Sequence, residues 1–413
     1  MAPPLALKRG KIVNGEFDSL QMQVRNWLKT CESDTDLSYV MASAATEPTL
    51  MTLSFAILIH ELFALLPHAR SVVWAELLQA AQDTRTGLFH DPKLHRSALD
   101  PNSPGLDYLT HQTTYFALAA LDALQEKPLH RLSFALQLSS PGNIVSWLER
   151  LDWTQPWAAS NWVMFLATDL HTEWQWYDHQ PALEALHTLL DWLDKRQDPR
   201  TGFWGTEAAS LDHAMAATYH FLPFYFCLGR ELHYVTQMID HTLALQAPDG
   251  LFHPDGGGDT CLDVDAVDIL VKCSSLTPHR AAEVEFALER AYAGLLSNQS
   301  PEGGFCRARN RPLPPKTWKR RVGEAVGLDR LLSKPYVVPP TIWNYSGWRA
   351  MPFDVRQGDL WSTWFRPFGL AVISARYPEK YPDAQRWVFR RLPALGWHDA
   401  ALIGVKGSYQ HDG

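Results

Sequence analysis

The 413 residues include only five cysteines, Cys31, Cys227, Cys261, Cys273 and Cys306, and no CxxC pair. An odd number of scattered thiols argues against a disulfide framework and fits a reduced, cytoplasmic protein. No apolar run reaches the roughly 20 residues of a membrane span. The best, Leu50 to Leu66, is broken by His60 and Glu61 and reads as a buried helix. The first residues, Met-Ala-Pro-Pro-Leu-Ala-Leu-Lys-Arg, lack an apolar core with a small-residue cleavage site, so no signal peptide is expected. Basic charge is also short: 37 Lys and Arg face 45 Asp and Glu, a net charge of −8. That excludes the broad basic face of a general nucleic-acid binder. Alternating stretches with hairpin dipeptides are almost absent, so little sheet is expected. Walker A, GxSxG, HExxH and Rossmann patterns are missing, which removes nucleotide-driven, serine-hydrolase and zincin chemistries.

What is present is apolar and aromatic. With 46% hydrophobic and 20% charged residues the chain is a folded globular protein. It carries 17 Trp and 17 His. Such a Trp surplus fits either an aromatic-lined cavity or a large helical core.

One grammar recurs: a Gln, a short polar turn, then Gly and an aromatic. It stands at Gln82 to Phe89, Gln197 to Trp204, Gln246 to Phe252 and Gln299 to Phe305. The last three copies are about 50 residues apart, and the first gap is about twice that. Degenerate copies at Gln137–Gly142 and from Cys31 complete a series. Pro or Asp before Gly supplies the backbone angles that end a helix and turn the chain. Between the turns, Leu183, Leu186, Leu189, Leu190 and Leu193 follow helical spacing. A unit of this length holds two helices, and units that cannot bury their own apolar stripes stack. Met51–Leu66, Tyr115–Leu124, Tyr219–Leu228 and Val264–Val271 read apolar all round, as an inner ring would. The expectation is an all-α, six-hairpin α/α toroid, a single domain over residues 1–413, with an open solenoid as the alternative. From 307 to 340 a basic, Pro-rich stretch interrupts the period as a loop or lid, and Arg307 and Arg309 within it are candidates for holding an anionic substrate.

The most informative segment runs from Gly256 to Lys272. A Gly-rich turn delivers Asp259, Asp263, Asp265 and Asp268 onto the start of an otherwise apolar helix. Asp259 or Asp263 suits a helix cap, and Asp268 can pair with Lys272 one turn on. Asp265 and Asp268 lie deeper among Val, Ala, Ile and Leu, where a charge is costly without a partner or a purpose. The repeats resemble those of the terpene cyclase and protein prenyltransferase superfamily. Asp263-Val264-Asp265-Ala266 is similar to the Asp-x-Asp-Asp motif of class II terpene cyclases. There the middle Asp protonates an alkene or epoxide. By that resemblance Asp265 is the acid, tuned by Asp263 and Asp268, in acid-initiated cyclization or rearrangement of a small isoprenoid. Ala266 stands where the family has its fourth Asp.

A carbocation needs aromatic faces and excluded water. Candidates to line the substrate are Trp162, Phe203, Trp204, Tyr219, His220, Tyr225, Trp361 and Trp364. The superfamily's other branch holds zinc through an Asp-x-Cys pair and a later His. Asp259-Thr260-Cys261 mimics the pair, but Ser362 stands in the stretch that would offer the His. No metal and no cofactor is therefore expected, with a zinc-dependent prenyltransferase as a second alternative. The first alternative is a polysaccharide lyase or glycoside hydrolase, since toroids also stack sugars on Trp. An aliphatic and aromatic wall around Asp265 favours the isoprenoid; an open polar groove favours the sugar. Peripheral membrane contact is left open, as is the oligomeric state.

Overall fold

Helices of two kinds follow from two kinds of sequence. A computed structural model describes residues 16–33, 38–311 and 341–399. The outer kind is buried along one face only: α1 (Glu16–Thr30), α3 (His68–Ala80), α6 (Pro141–Arg150), α8 (Gln180–Asp194), α11 (Val235–Ala244) and α13 (Ala281–Ser297). In α8 the buried residues are Ala182, Ala185, Leu186, Leu189, Leu190, Trp192 and Leu193, a single stripe. The inner kind is buried nearly all round: α2 (Leu50–Leu62), α4 (Leu106–Ala123), α7 (Pro156–Tyr177), α9 (Leu211–Tyr219), α12 (Thr260–Leu276) and α14 (Leu360–Arg376). In α14 every residue from Leu360 to Ala375 is buried. A short α5 (Ser133–Leu138) precedes α6, and α10 (Leu222–Cys227) prolongs α9 beyond a kink.

The inner helices pack in a closed cycle, α2 on α4, α7, α9, α12 and α14, with α14 returning to α2. The outer helices pack on them, α8 against α7, α11 against α12 and α13 against α14. The expected α/α toroid of six hairpins is the fold. Three of the four stretches read as inner-ring helices lie in that ring, although the first stops at Leu62; the third, Tyr219–Leu228, begins at the last residue of α9 and falls mostly on α10 beyond the kink. Sheet is confined, among the described residues, to β1 (Ile342–Asn344) and β2 (Pro352–Asp354), paired antiparallel.

The repeated Gln is a staple between hairpins. Gln82 Nε2 donates to the carbonyls of Gly87 (2.7 Å) and His130 (2.8 Å), and its Oε1 accepts the His130 amide. Gln197 Nε2 likewise donates to the carbonyls of Gly202 and His233, and Gln246 Nε2 to those of Gly250 and Ala287. One side chain thus ties its own turn to the next unit. The turn glycine must be glycine: Gly87 has φ +73°, and a Cβ there would sit 2.2 Å from the Arg131 carbonyl oxygen.

The copy beginning at Cys31 holds, because Glu32 bridges Tyr39 as Gln82 bridges Phe89. The copy at Gln137–Gly142 does not. That segment is a break between α5 and α6, where Ser140 caps and Pro141 opens a new outer helix. Its unit turns inward between Leu151 and Gln155, without glycine.

Two segments cover the ends of the ring. At the rim of inner-helix N-termini, residues 341–358 cross to the α3–α4 connection, where Asp100 N–H donates to the Gly347 carbonyl and Arg349 N–H to that of Ala98. At the other rim, residues 388–398 run beneath the inner helices. Tyr115 and Tyr219 hydroxyls accept the Leu395 and Gly396 amides, and the Thr168 hydroxyl donates to the Pro393 carbonyl. Most of the basic stretch, 312–340, lies outside the described residues.

Candidate active site

The acidic segment enters α12 through three consecutive glycines at positive φ, Gly256, Gly257 and Gly258. Asp259 caps the helix, its side chain accepting the Cys261 amide at 3.2 Å. Its Oδ2 also accepts Arg307 Nε (2.9 Å) and Arg311 Nη2 (3.1 Å). Burial opposes its charge, but the two guanidiniums hold the carboxyl well below the usual range.

Asp263 is completely buried and fully engaged. Oδ1 accepts the Phe252 amide at 2.8 Å, and Oδ2 accepts Arg366 Nη1 at 3.0 Å. Burial pushes the carboxyl up to about 6 against the pull of Arg366. The other units explain this position. The amide of the turn aromatic, or of the residue beside it, is received by a Thr of the inner helix: Phe89 by Thr114 (2.9 Å), Trp204 by Thr218 (3.2 Å), Phe305 by Thr363 (2.8 Å). Asp263 occupies the place of that Thr. It holds the repeat together and neutralises Arg366.

Two residues further along the helix, the equivalent positions are Phe116, His220, Asp265 and Phe365. A step of two residues turns about 200° around a helix, from the outer turn toward the ring's interior. Phe116 and Phe365 indeed face one aromatic cluster: Phe116 lies 5.8 Å from Trp361, and Phe365 4.8 Å from Trp361 and 5.4 Å from Trp364. Asp265 is 1% exposed, and its Oδ2 has no hydrogen-bond partner among the described residues. Burial, reinforced by the charges of Asp259, Asp268 and Asp263, raises its carboxyl well above the ordinary value. Its surroundings therefore favour the protonated form of Asp265.

Asp268 pairs with Lys272 one turn on, both fully buried, and Lys272 Nζ also reaches the Trp397 carbonyl (3.2 Å). Tyr219 lies 6.0 Å from Phe365 and feels the charges of Asp268 and Asp265. His220 Nδ1 is hydrogen bonded to Ser160 Oγ at 2.8 Å, and burial lowers the ring to about 3. Trp361 and Trp364 join Phe55, Phe116 and Phe365 at the centre. Trp162 sits further out, against Tyr108 and His111.

The structure keeps other candidates apart from this cluster. Trp204 donates Nε1–H to the Leu193 carbonyl and packs on Phe221, while the Tyr225 hydroxyl donates to Asp194. Phe203 faces His241 at 6.3 Å. These three pack between inner and outer helices. Arg307 serves Asp259, and Arg309 ties its backbone amide to Asn298 and its guanidinium to the Gln299 carbonyl.

Sequence reading passed over Arg366 and Phe365. The signal for Arg366 was there: a charge inside an apolar helix needs a partner, and the acidic segment offered several carboxylates. The zinc pair does not fit a metal. Asp259 is committed to two arginines, burial drives the Cys261 thiol far up, and Ser362 Oγ accepts the Thr260 hydroxyl where a His would be needed. A separate rim cavity of about 420 Å³, lined by Asp83, His90, Asp91 and Asp107 among others, contains none of the acidic-motif residues.

Comparison with known proteins adds the following. Among solved structures, similarity extends to a variant of the type II terpene cyclase MstE from Scytonema in complex with geranylgeranyl dihydroxybenzoate. The identity is 14%, covering 88% of this chain and 99% of that one, with a TM-score of 0.47. It extends also to a polysaccharide lyase, at 12% identity, 88% and 98% coverage and a TM-score of 0.49. The GH76 alpha-mannanase of Bacteroides thetaiotaomicron follows at 10% identity, 89% and 98% coverage and a TM-score of 0.45. A search of curated proteins finds no match. Residues 178–311, which hold the acidic motif, match the family model of the prenyltransferase alpha-alpha toroid domain, the superfamily that the repeats resemble.

Proposed function

We propose that the chain is an enzyme of the class II terpene cyclase kind, in which Asp265 protonates an isoprenoid alkene to start a cyclization or rearrangement. The observation that carries this reading is Asp265 itself: a buried carboxyl whose Oδ2 has no hydrogen-bond partner among the described residues and whose neutral form its surroundings favour. A carboxyl kept neutral by its surroundings can give its proton inside a dry chamber. The O–H pair stays on oxygen as the carboxylate forms, and the alkene π pair becomes the new C–H bond. The cation left on the neighbouring carbon is taken up by another double bond of the same substrate, and loss of a proton ends the reaction. The net change is an isomerisation, with no co-reactant. Quadrupoles of Trp361, Trp364, Phe365 and Tyr219 suit the moving positive charge. The segments over both rims suit exclusion of water.

The carbohydrate alternative is disfavoured by the same surroundings. The centre of the ring holds an aromatic cluster, and the acids whose charges reach Asp265 are engaged by Arg366, Lys272, Arg307 and Arg311 rather than left free for a sugar.

The test is Asp265→Asn, assayed with a panel of linear polyprenyl substrates and by thermal melting. Turnover is expected to fall by at least about 100-fold, the usual worth of a general acid, with the melting temperature kept or raised. Turnover by Asp265→Asn equal to wild type, or no conversion of any polyprenyl substrate by the wild type, overturns the reading.

A further inference from the structure

The two arginines buried among the described residues differ in one respect. Arg366 is saturated: Nε donates to the Cys306 carbonyl (2.9 Å), Nη1 to Asp263 and Nη2 to the Arg307 carbonyl (2.6 Å). Arg390 is not. It is 5% exposed, and its Nε and Nη1 have no hydrogen-bond partner among the described residues. Its Nη2 stands 3.7 Å from Glu61 Oε2, too far for a hydrogen bond. The guanidinium lies over the ring of Trp364, 5.0 Å from its centroid, and so faces the central aromatic cluster from the 388–398 segment. The other neighbouring acid, Asp122, already accepts the Arg391 and Leu392 amides. Unmet donors on a buried charge carry a heavy desolvation penalty.

We infer that Arg390 is the anchor for a carboxylate head group of the substrate, beside the central aromatic cluster. This deepens the isoprenoid reading and rests on it for the hydrocarbon part of the ligand. The planar fork of a guanidinium matches a carboxylate in two parallel hydrogen bonds. A single negative charge suits the place, because Glu61 stands beside it. The arginines first expected to clamp an anion, Arg307 and Arg309, are engaged elsewhere.

The experiment is calorimetric titration of the full chain with farnesoate, its methyl ester and octanoate, on wild type, Arg390→Met and Glu61→Gln. Farnesoate is expected to bind at least 10-fold tighter than the ester. Arg390→Met should abolish that preference while leaving the ester unchanged, with circular dichroism reporting the fold. Glu61→Gln should tighten farnesoate by removing the competing acid, which keeps the test open if Arg390→Met fails to fold. Equal binding of acid and ester by the wild type, or a preference that survives Arg390→Met, overturns the anchor. So does farnesoate binding that Glu61→Gln leaves unchanged or weakens. Octanoate binding that needs Arg390, without turnover of any polyprenyl substrate, supports the anchor and sinks the isoprenoid reading instead. Asp265-dependent turnover of acid and ester at equal KM does the reverse.

Discussion

Asp263 and Asp265 are two residues apart on one helix and face opposite tasks. Asp263 answers the Phe252 amide and the Arg366 guanidinium, so its removal strands a buried cation. Breaking such a pair from one side costs about 3–5 kcal/mol. Asp263→Ala should therefore lose stability on that scale in urea titration, whereas Asp265→Asn, which removes no partner, should stay within about 1 kcal/mol of wild type. Equal losses in the two variants would mean that the division of labour is wrong. The same contrast separates Arg366 from Arg390, one saturated and one with donors to spare.

At the scale of the element, each hairpin is held by a Gln that speaks for two units. Gln82 fills three backbone positions, one in its own turn and two at His130. Truncation to Ala leaves buried carbonyls and an amide without partners, at about 1–3 kcal/mol for the group left unmet. Gln82→Ala should accordingly lower stability measurably, and hydrogen exchange should quicken at the His130 amide as well as in the 82–89 turn. An effect confined to the 82–89 turn would show that the staple does not couple neighbouring units. The half-exposed Gln299, which reaches Gly303 and the side chain of Gln23, should matter less when replaced in the same way.

For the whole molecule, buried acids and buried histidines set opposing limbs of stability against pH. Burial pushes Glu61 and Asp359 to about 7 and raises Asp265 well above its ordinary value, so the folded state keeps protons that the unfolded chain releases near its ordinary carboxyl values. Their contribution is complete in acid and is lost as pH rises through 7. Burial holds His111 and His171 at about 4 and His220 at about 3, below the ordinary 6.5. Theirs is complete above 6.5 and is lost as pH falls. Asp259, held low by its arginines, is ionised in both states across pH 5–9 and adds no slope there. The two windows overlap and oppose each other below 6.5, so melting temperatures should fall as pH rises from 6.5 through 7, where only the acids still release protons on unfolding, and Asp265→Asn should lessen that fall. A melting temperature that climbs steadily from pH 6 to 9 contradicts this assignment of protons.

Local chemistry made the toroid readable from residues alone. Turns need Gly at positive φ, outer helices need one apolar stripe, and inner helices need apolar residues all round; each leaves a mark at fixed spacing. The acidic motif was readable for the same reason, since carboxylates stand out in an apolar helix. Which carboxylate is free was decided only by the fold. Arg366 and Arg307 lie about 103 and 48 positions beyond the Asp residues that they engage, and no spacing rule reports such a meeting. Ring closure likewise chose the aromatics, bringing Phe55 of the first hairpin to Trp364 of the last while leaving Trp204 and Tyr225 in an outer layer. The misread turn at Gln137–Gly142 has the same cause, because a Ser-Pro pair opens a helix as readily as it ends one. Sequence determines the repeating unit, through torsions and hydrophobic spacing; tertiary structure alone decides which charges are neutralised and which are left bare, because burial and partnership are properties of distance in space.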